Sequence, residues 1–330
     1  PSARHTGRER WCGRPPPAGD VPVDVLGRPS GTAFLLAVAA LCLAQAVVAG
    51  PAEIHRWGLY EAELESTQPL PDRPEDLAPM VVFTGPNGAT QVRPGFWDGG
   101  HSWKIRFTPD TVGAWTWLTR CAEDPSLHAR KGAFTCVAYD GDNPLYRHGP
   151  VGVSPDGRYL AHRDGTPFFW LADTAWNGAL KSTPADWRRY LADRAGKRFT
   201  GIQYVVTQWR TAYQNAEDEV GYSGFDPIRI HPAFFRRIDH RTQAVNDQGL
   251  LAVPVLLWTL GKQEHNPGQL PPEQAIRLAR YLTARLGAWH VAWFLAGDGD
   301  YTGENADRWK RIGRAVFDQP GHALATLHPR

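Results

Sequence analysis

The chain has 330 residues, 42% of them hydrophobic, enough for two domains that each bury a core. Its 36 basic and 34 acidic residues are dispersed and leave a net charge of +2, so no basic block points to nucleic acid and no such partner is expected. The 14 tryptophans suit either packed cores or flat faces for sugar rings.

Residues 1–26 are rich in Arg, Pro and Gly without an apolar period and read as a disordered or non-native leader. Met80 is the only methionine, so translation is expected to begin upstream of Pro1 or at a non-Met codon. Residues 27–50 combine an early positive charge, a mostly apolar stretch and small residues before Gly50, the pattern of a secretory signal peptide; an uncleaved anchor is the alternative. The mature chain is therefore expected to be secreted or periplasmic, with no stable membrane association after cleavage. Beyond the leader only Cys121 and Cys136 remain. They are expected to form a disulfide in an oxidising compartment, the alternative being two unpaired small apolar residues. No Cys/His cluster has metal-ligand spacing, and no metal or other cofactor is expected.

Residues 51–139 read as an all-β sandwich. Short alternating runs such as PMVVFTG, SWKIRFTPD, GAWTWLTRC and GAFTCVAYD are separated by Gly, Pro, Asn and Asp turns. Alternation places Trp97, Trp103, Trp115 and Trp117 either between the sheets or on a sugar platform. The segment WDGGHSWKIRFTPDTVGAWTW, residues 97–117, resembles the N-terminal sandwich that precedes the barrel in apiosidase-like glycoside hydrolases.

A Gly/Asp/Pro linker over residues 140–157 leads to a change of period in residues 158–330. Apolar runs now alternate with amphipathic ones: PFFWLADT, GIQYVVTQ, LLAVPVLLW, HVAWFLAGD and ALATLHP, separated by four helical stretches. That alternation indicates a parallel sheet with right-handed crossovers, read as the first five strands of a partial TIM-type (β/α)8 barrel. No GxGxxG or Walker-type loop follows the first strand, which argues against nucleotide binding.

Polar and aromatic residues close every strand. Asp173, Trp176 and Asn177 follow the first; Gln208 and Trp209 the second; Trp258 the third; Asp298 and Asp300 the fourth; His328 the fifth. In a barrel these ends converge on one pocket, offering hydrogen bonds to hydroxyls, stacking faces and acids for proton transfer. The segments 164–178, 190–203, 291–300 and 326–330 together resemble the barrel of the apiosidase-like family. That resemblance implies a glycosidase acting on an oligo- or polysaccharide through two carboxylates, with Asp298, in a W-x-L-x-G-D motif, as general acid or acid/base. Asp298 could instead cap the turn that follows. Asp173 binds a sugar hydroxyl or holds its own loop, and Trp176 and Trp209 stack on sugar or pack the rim. His328 bonds a hydroxyl or the partner carboxylate, or is structural.

The sequence departs from the family pattern in reading Ala296-Gly297-Asp298 for G-G-D and Arg198-Phe199 for G-F. It also stops at Arg330, just after the fifth strand. The second carboxylate of such barrels often sits on a later strand; with the missing initiator Met, the sequence is expected to be truncated at both ends. A carbohydrate-binding or cell-surface protein without catalysis is the main alternative. A non-sugar hydrolase is disfavoured because neither G-x-S-x-G nor HExxH occurs. The sequence sets no oligomeric state.

Overall fold

In the computed structural model, which describes residues 52–318 and 322–329, the N-terminal runs form strands β1 (Ala52–His55), β2 (Tyr60–Glu65), β3 (Met80–Thr84), β4 (Thr90–Pro94), β5 (Phe96–Gly99), β6 (Ser102–Phe107), β7 (Gly113–Arg120) and β8 (Lys131–Val137). The leader and signal peptide expected over residues 1–50 lie outside the described residues. Among the described residues no helix is long and apolar enough to cross a membrane.

One sheet has the order β1-β8-β7-β3-β4 and the other β2-β6-β5. Alternation does the sorting: Trp115, Trp117 and Thr119 of β7 point inward while Ala114, Thr116, Leu118 and Arg120 point out. Trp103, Ile105 and Phe107 of β6 meet them in a single core with Val81, Phe83 and Phe134. Buried indoles need partners for their N–H groups. Trp115 donates to the carbonyl of Thr111 at 2.8 Å and Trp117 to the Tyr60 hydroxyl at 2.7 Å. Three of the four tryptophans weighed as a sugar platform, Trp103, Trp115 and Trp117, are thus core residues, and Trp97 packs half-buried against the same cluster.

The expected Cys121–Cys136 disulfide is not formed; both thiols are free and buried. The register explains why. Cys136 lies opposite Gly113 at one end of β7, whereas Cys121 follows Arg120 at the other. At roughly 3.3 Å per residue they stand about 25 Å apart along the strand, and a disulfide needs Cα atoms within about 7 Å. Burial pushes both thiols up, that of Cys136 to about 11.

The stretch read as a linker is structured. Helix α1 (Pro144–His148) is capped by Asn143, whose side chain accepts from the amide of Leu145 at 3.0 Å. Strands β9 (Val151–Val153), β10 (Leu160–His162) and β11 (Pro167–Phe168) follow as a small antiparallel sheet. The run PFFWLADT is accordingly split between two sheets: its start is β11 and its end is β12 (Ala172–Thr174).

The remaining elements are α2 (Gly178–Lys181), α3 (Pro184–Gly196), β13 (Gly201–Val205), the short hairpin β14 (Tyr222–Ser223) and β15 (Arg229–Ile230), α4 (Pro232–Asp247), β16 (Leu251–Trp258), α5 (Pro272–Leu286), β17 (Trp293–Gly297), α6 (Gly303–Phe317) and β18 (Ala325–Thr326). Strands β12-β13-β16-β17-β18 form one sheet in that order, every pair parallel. All residues of β13, β16 and β17 are buried, which is why these strands read as continuous apolar runs rather than alternating ones. Thr183 starts α3 by accepting from the Asp186 amide at 3.1 Å, with Pro184 at the first helical position.

The two-sheet region is joined to the helices of the parallel sheet by buried charge. Arg106 of β6 donates to Asp239 of α4 at 2.8 Å and to the carbonyl of Arg285 at 2.7 Å. Arg285, on α5 and fully buried, pairs with Asp239 at 2.6 Å and with Asp98 of β5 at 2.8 Å. Charges withdrawn from water persist only when paired and hydrogen-bonded in this way.

Candidate active site

The C-terminal ends of the parallel strands bring Asp298 and His328 together. The Asp298 backbone leaves β17 with φ of 43°, in the left-handed region that costs a non-glycine residue of order 1 kcal/mol and that Asp tolerates better than most. Its Oδ1 lies 3.1 Å from Nδ1 of His328, an ion-pair distance at which that nitrogen nevertheless lacks hydrogen-bond geometry. Oδ2 lies 3.9 Å from a guanidinium nitrogen of Arg210. His328 is placed by its own backbone, whose amide donates to the carbonyl of Ala296 at 3.0 Å and so extends the pairing of β17 and β18.

Three indoles lie beside this group. Trp258 is fully buried and meets Trp209 edge to face at 4.4 Å and Trp176 at 5.3 Å; Trp176 in turn meets the His328 ring at 5.6 Å. Gly297 makes room for Trp258, because a Cβ there would lie 2.7 Å from the indole. Trp209 is buried and donates to Asn177 at 2.6 Å. Trp258 is therefore a covered packing residue rather than the open stacking face expected of it, and Trp209 takes the packing alternative weighed for it. Asn177 holds Trp209 in place, and Trp176, half-buried, keeps the most open ring of the three.

Other expected site residues are occupied elsewhere. Asp173 pairs in register with Ile202, on the face that Tyr204 shares when it bonds Thr242 of α4 at 2.8 Å. Its carboxylate thus turns to the helices, accepting from Tyr190 at 2.8 Å and from Nε of Arg194, both on α3. Burial raises the pKa of Asp173, but the bonds from Arg194, Tyr190 and the Thr174 amide outweigh it and hold the carboxyl below its ordinary range. Gln208 is buried with its amide committed to a neighbouring loop, donating to the carbonyl of Tyr222 at 2.6 Å and accepting from the Gly221 amide at 2.9 Å. Asp300 accepts from the amide and hydroxyl of Thr302 at 3.0 and 2.6 Å, organising the start of α6. Asp173 thus takes the structural alternative weighed for it, and Gln208 and Asp300 are bonded to the backbone of a neighbouring loop and of the turn before α6.

Sequence reading missed Arg210, which follows a strand end by a few residues, the signal that would have found it. Tyr301, read among the residues closing the fourth strand, was given no role. The Tyr301 hydroxyl lies 3.3 Å from that of Thr259, and burial raises its pKa, with the charge of Asp298 adding to the effect.

The family of apiosidase-like catalytic domains matches residues 154–330, and a domain family of unknown function, DUF5060, matches residues 53–122. Among solved structures, a presumed glycoside hydrolase from Bacteroides vulgatus ATCC 8482 superposes with a TM-score of 0.71 at 23% identity, over 84% of this chain and 56% of that one. A glycoside hydrolase family 5 protein from the same organism superposes with a TM-score of 0.50 at 21% identity, over 57% of this chain and 41% of that one. At such identities the fold is what is shared, and this chain spans 56% of the length of the first of these structures. No curated protein matches the chain.

Proposed function

Because this chain belongs to the family of apiosidase-like catalytic domains, we propose that it acts as a secreted glycoside hydrolase on the side chains or backbone of a polysaccharide, with Asp298 as general acid or acid/base. The observation that carries the reading is Asp298 at the C-terminal end of a parallel strand, turned off that strand by its backbone and flanked by His328 and Arg210. Active sites of parallel barrels lie at that end, and the parallel sheet is read as the first part of such a barrel. When protonated, the Asp298 carboxyl donates to the glycosidic oxygen as charge develops on it in the transition state. Hydrolysis also requires a second carboxylate about 5 to 9.5 Å away, as nucleophile or as base for water. Its source is addressed by sequencing the coding DNA beyond the Arg330 codon. Secretion rests on the signal-like pattern of residues 27–50.

The test is Asp298→Asn, assayed in the full coding context on a panel of polysaccharides and aryl glycosides. The expected loss on substrates with poor leaving groups is about 100- to 10,000-fold. Undiminished hydrolysis of those substrates overturns the acid role of Asp298.

A further inference from the structure

We propose that Arg210 is a substrate-contacting residue of this site, its guanidinium binding an oxygen of the saccharide beside Asp298. The proposal rests on the glycosidase reading above and extends it to a residue that no motif marks. Arg210 sits in the loop after β13, with its guanidinium carbon 5.7 Å from the ring centre of Trp209 and 5.8 Å from that of Trp258. The two indoles support the cation and limit its freedom. Its side chain is 36% exposed. Among the described residues its N–H donors make no hydrogen bond, and the carboxylate oxygen Oδ2 of Asp298 stands at 3.9 Å. That is too long for N–H···O, which falls at about 2.7 to 3.2 Å. An oxygen about 2.8 Å from each atom fits between groups at that separation. A sugar oxygen there accepts from Arg210 and, as a hydroxyl, also donates to the carboxylate.

The loop after β16 fixes this position. Gly261, at φ of 120°, leaves the space that Arg210 uses, since a Cβ on it would come within 3.0 Å of the Cβ of Arg210. Asn266, fully buried, donates to the carbonyls of Leu260 and Gly261, each at 3.1 Å, and holds that loop against Arg210. The guanidinium is therefore presented to solvent by packing, with its donors still to be used.

The accepting oxygen belongs to a neutral hydroxyl or to a uronate carboxylate, and the experiment separates them. The Asp298→Asn chain, which keeps the site but is slowed in turnover, is applied to an array of neutral and uronate-containing polysaccharides, with and without Arg210→Ala or Arg210→Lys. Arg210→Ala is expected to weaken binding by about 10- to 100-fold, the range for a hydrogen bond to a charged group. Arg210→Lys, which keeps the charge but loses the fork, is expected to fall between the two. The arm on which the loss appears identifies the oxygen. With Asp298 intact, Arg210→Ala should raise KM more than it lowers kcat, and added guanidinium ion should recover part of the loss. Unchanged binding by both Arg210 variants overturns this proposal alone. Failure of the Asp298→Asn chain to bind any polysaccharide on the array overturns it together with the glycosidase reading.

Discussion

The two-sheet region and the parallel-sheet region both carry buried tryptophans, at different points along their strands. Trp103 and Trp115 lie within their strands between two sheets, and Trp115 satisfies its N–H inside its own region. Trp176, Trp209 and Trp258 lie at or just past strand ends, where they support polar side chains that reach solvent. The same residue type fills a core in one region and surrounds the candidate site in the other. The difference follows from layer architecture: two sheets packed face to face bury one face of each strand, whereas a helix-covered parallel sheet buries both and leaves only the strand ends open to water.

The comparison breaks most readily at the junction of the two regions. Asp239→Ala leaves Arg106 and Arg285 buried without their shared carboxylate and is expected to cost about 3–5 kcal/mol. Urea denaturation of the folded chain reads this directly. A loss below about 1 kcal/mol would mean that water reaches the junction and that the two regions are only loosely joined.

A second pair of variants sharpens the contrast between tryptophans. Trp115→Ala should cost about 3–5 kcal/mol of stability and leave saccharide affinity unchanged in the molecules that remain folded. Trp176→Ala, at a half-buried ring, should cost about 1–2 kcal/mol and weaken binding. Equal effects of both on affinity would erase the distinction.

The junction also carries a pH dependence. His290, just before β17, is buried and donates from Nε2 to the carbonyl of Trp57 in the two-sheet region at 3.0 Å. Burial, aided by nearby His162 and His55, lowers its pKa to about 4 against the opposing bond to Trp57. Above about pH 6.5 the ring is neutral in both folded and unfolded chains, and the site has no pH dependence there. As pH falls from about 6.5 to about 4, only the unfolded chain takes up the proton, so stability declines by about 3 kcal/mol in total. His290→Gln should flatten that part of the stability profile; an unchanged slope between those limits would locate the acid sensitivity elsewhere.

The smallest effect concerns the cysteines. Reductant should leave the thermal midpoint within about 1 °C, because no bond is there to be reduced. A clear downward shift would mean that the strand register around β7 differs from that described.

Much of the fold was legible because its signals are local. GAWTWLTR alternates as β7, LLAVPVLLW is apolar throughout as β16, and the five parallel strands with their crossover helices occur in the order that periodicity indicates. Site residues were less legible. Asp298 and His328 meet because β18 lies beside β17, and that agrees with a strand-end reading. Asp173 also lies at a strand end, but its face depends on pairing with Ile202 and on the approach of α3, neither of which its neighbours in sequence record.

Local sequence therefore determined the longer strands and helices, though not the short elements between residues 144 and 174, since alternation, apolar continuity and capping act within a few residues. Tertiary structure decided the rest through contacts between distant residues. Register put Cys136 at the far end of β7 from Cys121. Packing covered Trp258 and left space opposite Gly261 for Arg210. Arg106 found Asp239 across 133 positions of chain, a partnership set by desolvation of both charges where the two regions meet.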